Sequence, residues 1–285
     1  MSVRIVCDSG SDYERSDRDG LVVLPLGITF GDVTYEDGVD LSHERFYEML
    51  VESDDLPMTS QVTPYAFGQA FREAVGAGDD VVAITLSAEL SGTYESAVSA
   101  ASAFGGRVRV VDSRTASAAE HILVDLALRL ADEGKGVGEI VDELEGRKGD
   151  AHVVALLDTL EYLRRGGRVS SIGAGVGSML AIKPVITAQD GRVVLVGKAR
   201  GSKNGRNLLT EQVAAAGGID FTLPALVGFS GLSDALLGKY IRDSMDLWKD
   251  HVEEVPVCTM GAAVGTHAGP GAIVLGFFGR GAAGA

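Results

Sequence analysis

Cysteine is scarce: two residues in 285, Cys7 and Cys258. Both sit in apolar, strand-like runs, and two thiols build no disulfide framework, so they read as buried reduced side chains and point to a reducing cytoplasm. Basic charge is also short, with 25 Lys and Arg against 40 Asp and Glu and a formal charge of −15. Such a chain repels phosphate backbones and anionic lipid headgroups, and no nucleic-acid partner is expected. Long apolar runs are missing: the longest candidates, such as 272–278, are strand-sized, far below the ~18 residues of a spanning helix. The first residues lack a basic region leading into a long apolar one, so neither secretion nor a membrane span is expected. The chain contains no GxxxxGK[ST], no HExxH, no paired-cysteine motif and no GxSxG elbow, and its five histidines (43, 121, 152, 251, 267) are scattered. Phosphate-loop chemistry and a metal centre have nothing to stand on in that inventory.

What is present is an ordinary globular composition, 46% hydrophobic and 23% charged, with 38 glycines that imply many tight turns. At roughly 150 residues per domain the length suggests about two domains. Strand patterns fall at 3–7, 21–30, 81–87 and 107–112, and helical ones at 63–77, 91–104 and 118–133. The alternation is that of a parallel sheet covered by helices. Thr63-Pro64 is a good helix start, because the hydroxyl caps the first turn and proline at the first position forfeits no needed donor. After 134–150 come a strand at 152–158, a helix near 160–165 and glycines at 166, 167, 173, 175 and 177. The second half opens with a hairpin, 184–187 and 192–198 around Asp190-Gly191, followed by a helix, a strand, a helix and two closing strands. The expected architecture is therefore α/β in two domains: an N-terminal α/β/α domain with a parallel sheet over 1–158 and a C-terminal α/β domain with a mixed sheet over 159–279. A frayed Gly/Ala tail over 280–285 ends the chain.

Two hydroxyl clusters stand at strand-to-helix junctions. Thr59-Ser60-Gln61 precedes the Thr63-Pro64 helix start, and Ser91-Gly92-Thr93 follows the strand ending near Ser87. In a parallel α/β sheet such junctions gather at the carboxyl edge, where free helical N–H groups and hydroxyls suit an anion such as a carboxylate. Helix capping explains the same residues one at a time. Gly92 weighs against that, since glycine in a first turn costs helix stability and lets a ligand approach the backbone. Gly265-Thr266-His267-Ala268-Gly269-Pro270-Gly271 reads as a turn before an apolar strand, with His267 able to donate to an anion. Arg164-Arg165-Gly166-Gly167-Arg168 reads as a helix C-terminus that leaves Arg168 unexplained. Lys198, Arg200, Lys203 and Arg206 form a stretch without an acid, either a solvated loop or a positive patch for docking an acidic partner. Gly173-Ala174-Gly175-Val176-Gly177-Ser178 fails as a dinucleotide loop for want of a sixth-position glycine and a preceding strand. Asp37 and Asp40 read as a solvated turn, and no metal is assigned.

Taken together, these pieces resemble the DegV family of bacterial fatty-acid-binding proteins over almost the full length. The matching pieces are Asp8-Ser9 with Asp12, Pro25-Leu26 leading to Tyr35-Glu36-Asp37-Gly38, Thr59-Ser60-Gln61, Ser91-Gly92-Thr93-Tyr94 and Val111-Asp112-Ser113, followed by the run from Leu160 to Arg168, Ile182-Lys183-Pro184 and the Gly265 to Gly271 segment. Val62 stands where the family usually has proline, and Asp12-Tyr13 where it has an acidic-hydrophobic pair. The resemblance implies a long acyl chain held in a tunnel, with its carboxylate near the surface at Thr59, Ser60, Ser91, Gly92 and Thr93 and with His267 and Arg168 close by. It implies no catalytic residue and no cofactor besides the bound fatty acid. It further implies presentation of that acid to a separate ATP-dependent fatty acid kinase subunit, which makes acyl phosphate for phospholipid synthesis, docked through Arg200 and Lys203. Two other readings stay open: a serine acyl hydrolase using Ser91, His267 and an acid such as Asp112, and a lipid sensor without a kinase.

Overall fold

The computed structural model describes residues 2–14, 18–53, 56–168 and 182–280. β1 (Val3–Asp8) is the expected opening strand, buried over its last four residues. The run expected over 21–30 divides at Pro25 and Leu26 into β2 (Leu21–Leu24) and β3 (Gly27–Phe30), which join different sheets. β4 (Val33–Glu36) folds back on β3, α1 (His43–Glu52) follows, and β5 (Met58–Ser60) pairs with the other edge of β3. This small antiparallel sheet has no counterpart in the sequence reading, because strands of three or four residues show too little alternation to be recognised.

Thr63 and Pro64 open α2 (Pro64–Gly76) as the sequence predicts, with Thr63 Oγ1 accepting from Ala66 N at 3.2 Å. β6 (Asp80–Thr85), α3 (Thr93–Ala101), β7 (Val108–Asp112) and α4 (Ala118–Asp132) continue the expected rhythm. The helix expected over 91–104 is shorter, since Ser91 and Gly92 form a corner before it and a 3-10 turn over Ser102–Arg107 ends it. Within 134–150 lies α5 (Val137–Arg147), which buries Ile140, Val141 and Leu144.

β8 (Ala151–Leu156) and α6 (Glu161–Arg165) lead to the hairpin of β9 (Ile182–Gln189) and β10 (Arg192–Arg200). Its turn puts Asp190 and Gly191 at φ 51° and 79°, the left-handed pair a two-residue hairpin turn demands. α7 (Gly201–Ala215), β11 (Ala225–Phe229), α8 (Ala235–Asp243), β12 (Val257–Thr259), α9 (Ala262–Ala268) and β13 (Ile273–Phe278) complete the chain. The segment read as a turn around His267 is therefore mostly helix α9. Its three alanines and short length give no apolar period, and the turn proper begins at Gly269 (φ 71°). The basic stretch over 198–206 is likewise no loop, for it ends β10 and opens α7.

Three sheets result. The first, in the order β2-β1-β6-β7, is wholly parallel. The second, β10-β9-β8-β13-β11-β12, is mixed, with β11 and β12 parallel and the other pairs antiparallel. The third is β4-β3-β5. The fold is thus the α/β architecture expected, a parallel sheet followed by a mixed one. β8 lies before residue 158 yet pairs with β9 and β13, so the chain changes sheet between β7 and β8. Helix α4 joins the two large sheets. Ser117 N, just before it, donates to Gly10 O at 2.7 Å, and at Gly276 of β13 a Cβ would stand 2.2 Å from the Ala118 carbonyl, so only glycine allows the close approach. The Gly173 to Ser178 segment and positions 281–285 of the tail lie outside the described residues. Arg280 is held by its Nε donating to Ile219 O at 3.0 Å.

Candidate functional site

A cavity opens between the parallel and mixed sheets, with about 970 Å³ of empty space counted out through its mouth into open solvent. Its wall is almost wholly apolar. β8 contributes Val153 and Ala155, β9 Ile186 and Ala188, β10 Val193 and β13 Val274, while Leu86 and Leu90 close the opposite side and Val264 and Ala268 of α9 flank it. These strands are period-2 elements, so one set of side chains faces the cavity and the alternate set packs away from it. Polar groups gather at one place on the wall: Thr59, Ser60, Gln61, Ser91, Arg168 and His267 all line it. The structure brings together residues separated by more than two hundred positions.

Two hydroxyls there are supplied with hydrogen bonds from behind. Thr59 Oγ1 lies 3.1 Å from His267 Nε2. Burial, then the nearby Arg168 charge, pushes the His267 imidazole down to about 4, so at neutral pH the ring is uncharged and carries one proton. Its Nδ1 is buried with no hydrogen-bond partner among the described residues. That assigns the proton to Nε2, donated to Thr59, and frees the threonine hydroxyl hydrogen for a ligand. On the second loop Val62 N donates to Thr93 Oγ1 at 3.3 Å, and Thr93 Oγ1 and Ser91 Oγ are 2.9 Å apart. Thr93 N in turn donates to Ser91 Oγ at 3.3 Å, so each hydroxyl already accepts one backbone N–H and either can donate to the other. Thr93 is fully buried and stands behind Ser91 rather than on the cavity wall.

Gly92 serves the junction between these loops. A Cβ there would lie 2.2 Å from Gln61 Oε1, and the same Gln61 side chain donates from Nε2 to Ser96 Oγ at 2.8 Å. Arg168 ties a third segment to the site, its Nε donating to Leu90 O at 3.2 Å and its Nη1 to Gly166 O at 2.6 Å. Gly166 itself abuts the imidazole, for a Cβ there would come within 2.2 Å of His267 Nδ1. These two bonds tie the guanidinium to backbone carbonyls and leave its charge beside the cavity. Ser60 is exposed and also lines the cavity.

The hydrolase arrangement does not assemble. His267 Nε2 engages Thr59, whereas Ser91 engages Thr93. Asp112 Oδ1 accepts from Ala88 N and Arg114 N, at 3.3 and 2.9 Å. Without a nucleophile bonded to the base and an acid orienting it, no relay exists among the described residues.

Arg200 and Lys203 are exposed at the β10–α7 junction, and neither is in an ion pair among the described residues. The basic stretch is smaller than its sequence suggests. Arg206 is 9% exposed and its Nε and Nη2 donate to Asp243 Oδ2 at 2.9 and 2.7 Å, so three of the four cations face solvent. Asp37 also departs from expectation: it is buried at 7% exposure rather than in a solvated turn, its carboxylate accepting from Ala262 N and Ala263 N.

Comparison with known proteins gives a consistent family. The model for the DegV family of uncharacterised proteins matches residues 2–280. A DegV domain-containing protein of Deinococcus radiodurans is 36% identical over 280 residues, spanning 96% of this chain and 97% of its own. A fatty-acid-binding DegV family protein from Thermus thermophilus has a structure matching at a TM-score of 0.87 and 33% identity, over 98% of this chain and 100% of that one. The fatty acid kinase (Fak) B3 protein of Streptococcus pneumoniae, loaded with linoleic acid, matches at a TM-score of 0.84 over 98% and 99% of the two chains; at 21% identity the likeness is one of fold.

Proposed function

The chain belongs to the DegV family, and from that premise we propose that it binds one long-chain fatty acid with the acyl chain in the apolar cavity and the carboxylate at Thr59, Ser60, Ser91 and Gly92. The observation that carries this reading is the pairing of an apolar cavity with two hydroxyls, Thr59 and Ser91, on its wall beside His267 and Arg168. Burying an acyl chain gains about 0.8 kcal/mol per CH₂ before ordering costs. A chain of ordinary length therefore needs no charged clamp, and neutral donors orient the headgroup.

The protein acts as a carrier with no chemistry of its own, working in the cytoplasm as the lipid-binding subunit of a fatty acid kinase system. A carboxylate held by hydroxyls keeps one oxygen available as a nucleophile toward a phosphoryl group, where a bidentate arginine fork would occupy both. A separate ATP-dependent subunit supplies that phosphoryl group and makes acyl phosphate. Arg200 and Lys203 are the docking cations. Both are exposed, with no ion-pair partner among the described residues, on a chain of net charge −15, so they offer a local positive patch to an acidic partner.

Organic extraction of the purified protein followed by mass spectrometry tests the binding reading, with one equivalent of long-chain fatty acid expected. Ser91→Ala is expected to weaken acid binding by about 1 to 3 kcal/mol, the cost of stripping a partner from a buried carboxylate; unchanged affinity removes Ser91 from the cradle. Arg200→Glu is expected to leave lipid affinity unchanged and to slow phosphorylation of bound acid by the kinase subunit, roughly tenfold if one close charge pair is reversed. Equal rates dismiss the docking assignment.

A further inference from the structure

His267 rides on α9, a helix of seven residues. A helix so short has little stability alone, so its position is set by what holds its ends. Its first N–H groups donate to the carboxyl oxygens of two acids from distant parts of the chain. Gly261 N reaches Asp12 Oδ1 at 2.9 Å, Ala262 N reaches Asp37 Oδ1 at 2.9 Å, and Ala263 N reaches Asp37 Oδ2 at 3.0 Å. Those three donors have no partner inside the helix, and the two acids satisfy them all.

The carboxylates are themselves fixed. Ser117, whose residue lines the lipid cavity, donates its hydroxyl to Asp12 Oδ2. Ser9 accepts from Leu26 N at 3.0 Å, and its hydroxyl is near enough to Asp37 to favour that carboxyl's ionised form. Gly261 keeps the clamp tight, because a Cβ there would stand 3.2 Å from Asp37 Oδ2. At the helix centre a Cβ on Gly265 would meet Tyr47 Oη at 2.4 Å, so α9 cannot slide toward α1. At its last turn His267 meets Thr59.

We propose that Asp37 and Asp12 are positioning residues for the lipid headgroup: by clamping the N-terminus of α9 they hold His267 at the Thr59 hydroxyl, one helix length away. The inference rests on the carboxylate-binding reading of the cradle. It gives the Asp8-Ser9 to Asp12 segment and Asp37, neither of which touches the cavity's polar end, a task in recognition.

Asp37→Asn tests it, since an amide offers one acceptor where two N–H groups need one each. Dissociation constants are measured for palmitate and for the corresponding fatty alcohol, which fills the same cavity without a carboxylate. The expected result is about a tenfold loss for the acid with the alcohol unchanged. In the lipid-free protein the His267 imidazole resonances should shift, its titration climbing from about 4 toward the ordinary histidine range. In a His267→Asn background Asp37→Asn should cost no further acid affinity. Equal losses for acid and alcohol, unshifted resonances or full additivity with His267→Asn would each overturn the proposal. If Asp37→Asn does not fold, Gly261→Ala presses on the same carboxylates and is read in the same way. Failure of the wild-type protein to bind palmitate sinks the carrier reading instead, while the imidazole resonances still report on the clamp.

Discussion

Ala155→Trp is expected to abolish tight fatty-acid binding while leaving the fold intact. Ala155 sits on β8 at the middle of the mixed sheet, paired with Ile186 on one side and Val274 on the other, and all three line the cavity. An indole at that position extends into empty space rather than into neighbouring side chains, so the usual cost of overpacking a dense core is largely absent. What it displaces is ligand. Excluding four methylenes removes about 3 kcal/mol at ~0.8 kcal/mol each, a loss of more than a hundredfold. Isothermal titration with palmitate, alongside a thermal melt, checks both halves of the expectation. A melting temperature close to wild type with affinity down by two orders of magnitude supports an acyl chain across β8. Unaltered affinity would mean that the chain runs elsewhere, and the cavity would lose its assignment.

Ser91 sits at a strand-to-helix junction of the parallel sheet, where the rules of α/β sheets gather ligand groups. Thr59 instead belongs to β5, an edge of the small antiparallel sheet that the sequence reading does not contain, and it meets the cavity for a different reason than the junction rule gives. What junction rules do not give is hierarchy. Thr93 looks like Ser91's equal in the sequence, yet the side chain of Thr93 is swallowed behind it and accepts the hydrogen bond of Val62 N. Local pattern also missed α9. A run of alanine, glycine and threonine has no apolar stripe, and the helix forms because Asp12 and Asp37, far away in sequence, satisfy its first donors. Arg206 shows the same limit from the opposite side. Within 198–206 it counts as one more free cation, and its ion pair with Asp243 depends on how α7 packs against α8. Element type came from nearest neighbours along the chain, and the roles of these acids and bases came from neighbours in space.

Folding stability of the lipid-free protein should fall as pH rises from about 5 to about 8.5, the reverse of the trend that paired surface carboxylates produce. Burial is the dominant influence on four acids of the core. It pushes Asp8 up to about 7 and Asp12 up to about 8 against the backbone and hydroxyl donors that pull them down, and it raises Asp37 and Glu120 as well. In the unfolded chain such carboxyls ionise near 4. Between there and the folded values the native protein holds protons that the unfolded chain has released. Each pH unit then favours unfolding by up to about 1.4 kcal/mol per group. This contribution is complete below the unfolded value and is lost as pH climbs through about 7 and 8. Acids with close partners, such as Asp79, held low by Ser2 and Arg4, act the other way, but their contribution is lost only as pH drops below about 4. A melting temperature lower by at least about 10 °C at the alkaline end is the expected reading for a chain of this size, taken without lipid because a bound ligand adds stability of its own. Glu120→Gln isolates one member of the set. Its two carboxyl oxygens are fully buried and find no partner among the described residues, so the substitution removes a titrating group without breaking a hydrogen bond. The variant should lose part of the slope and gain stability above pH ~7; a melting temperature that rises with pH in the wild type would show that these acids are ionised inside the fold.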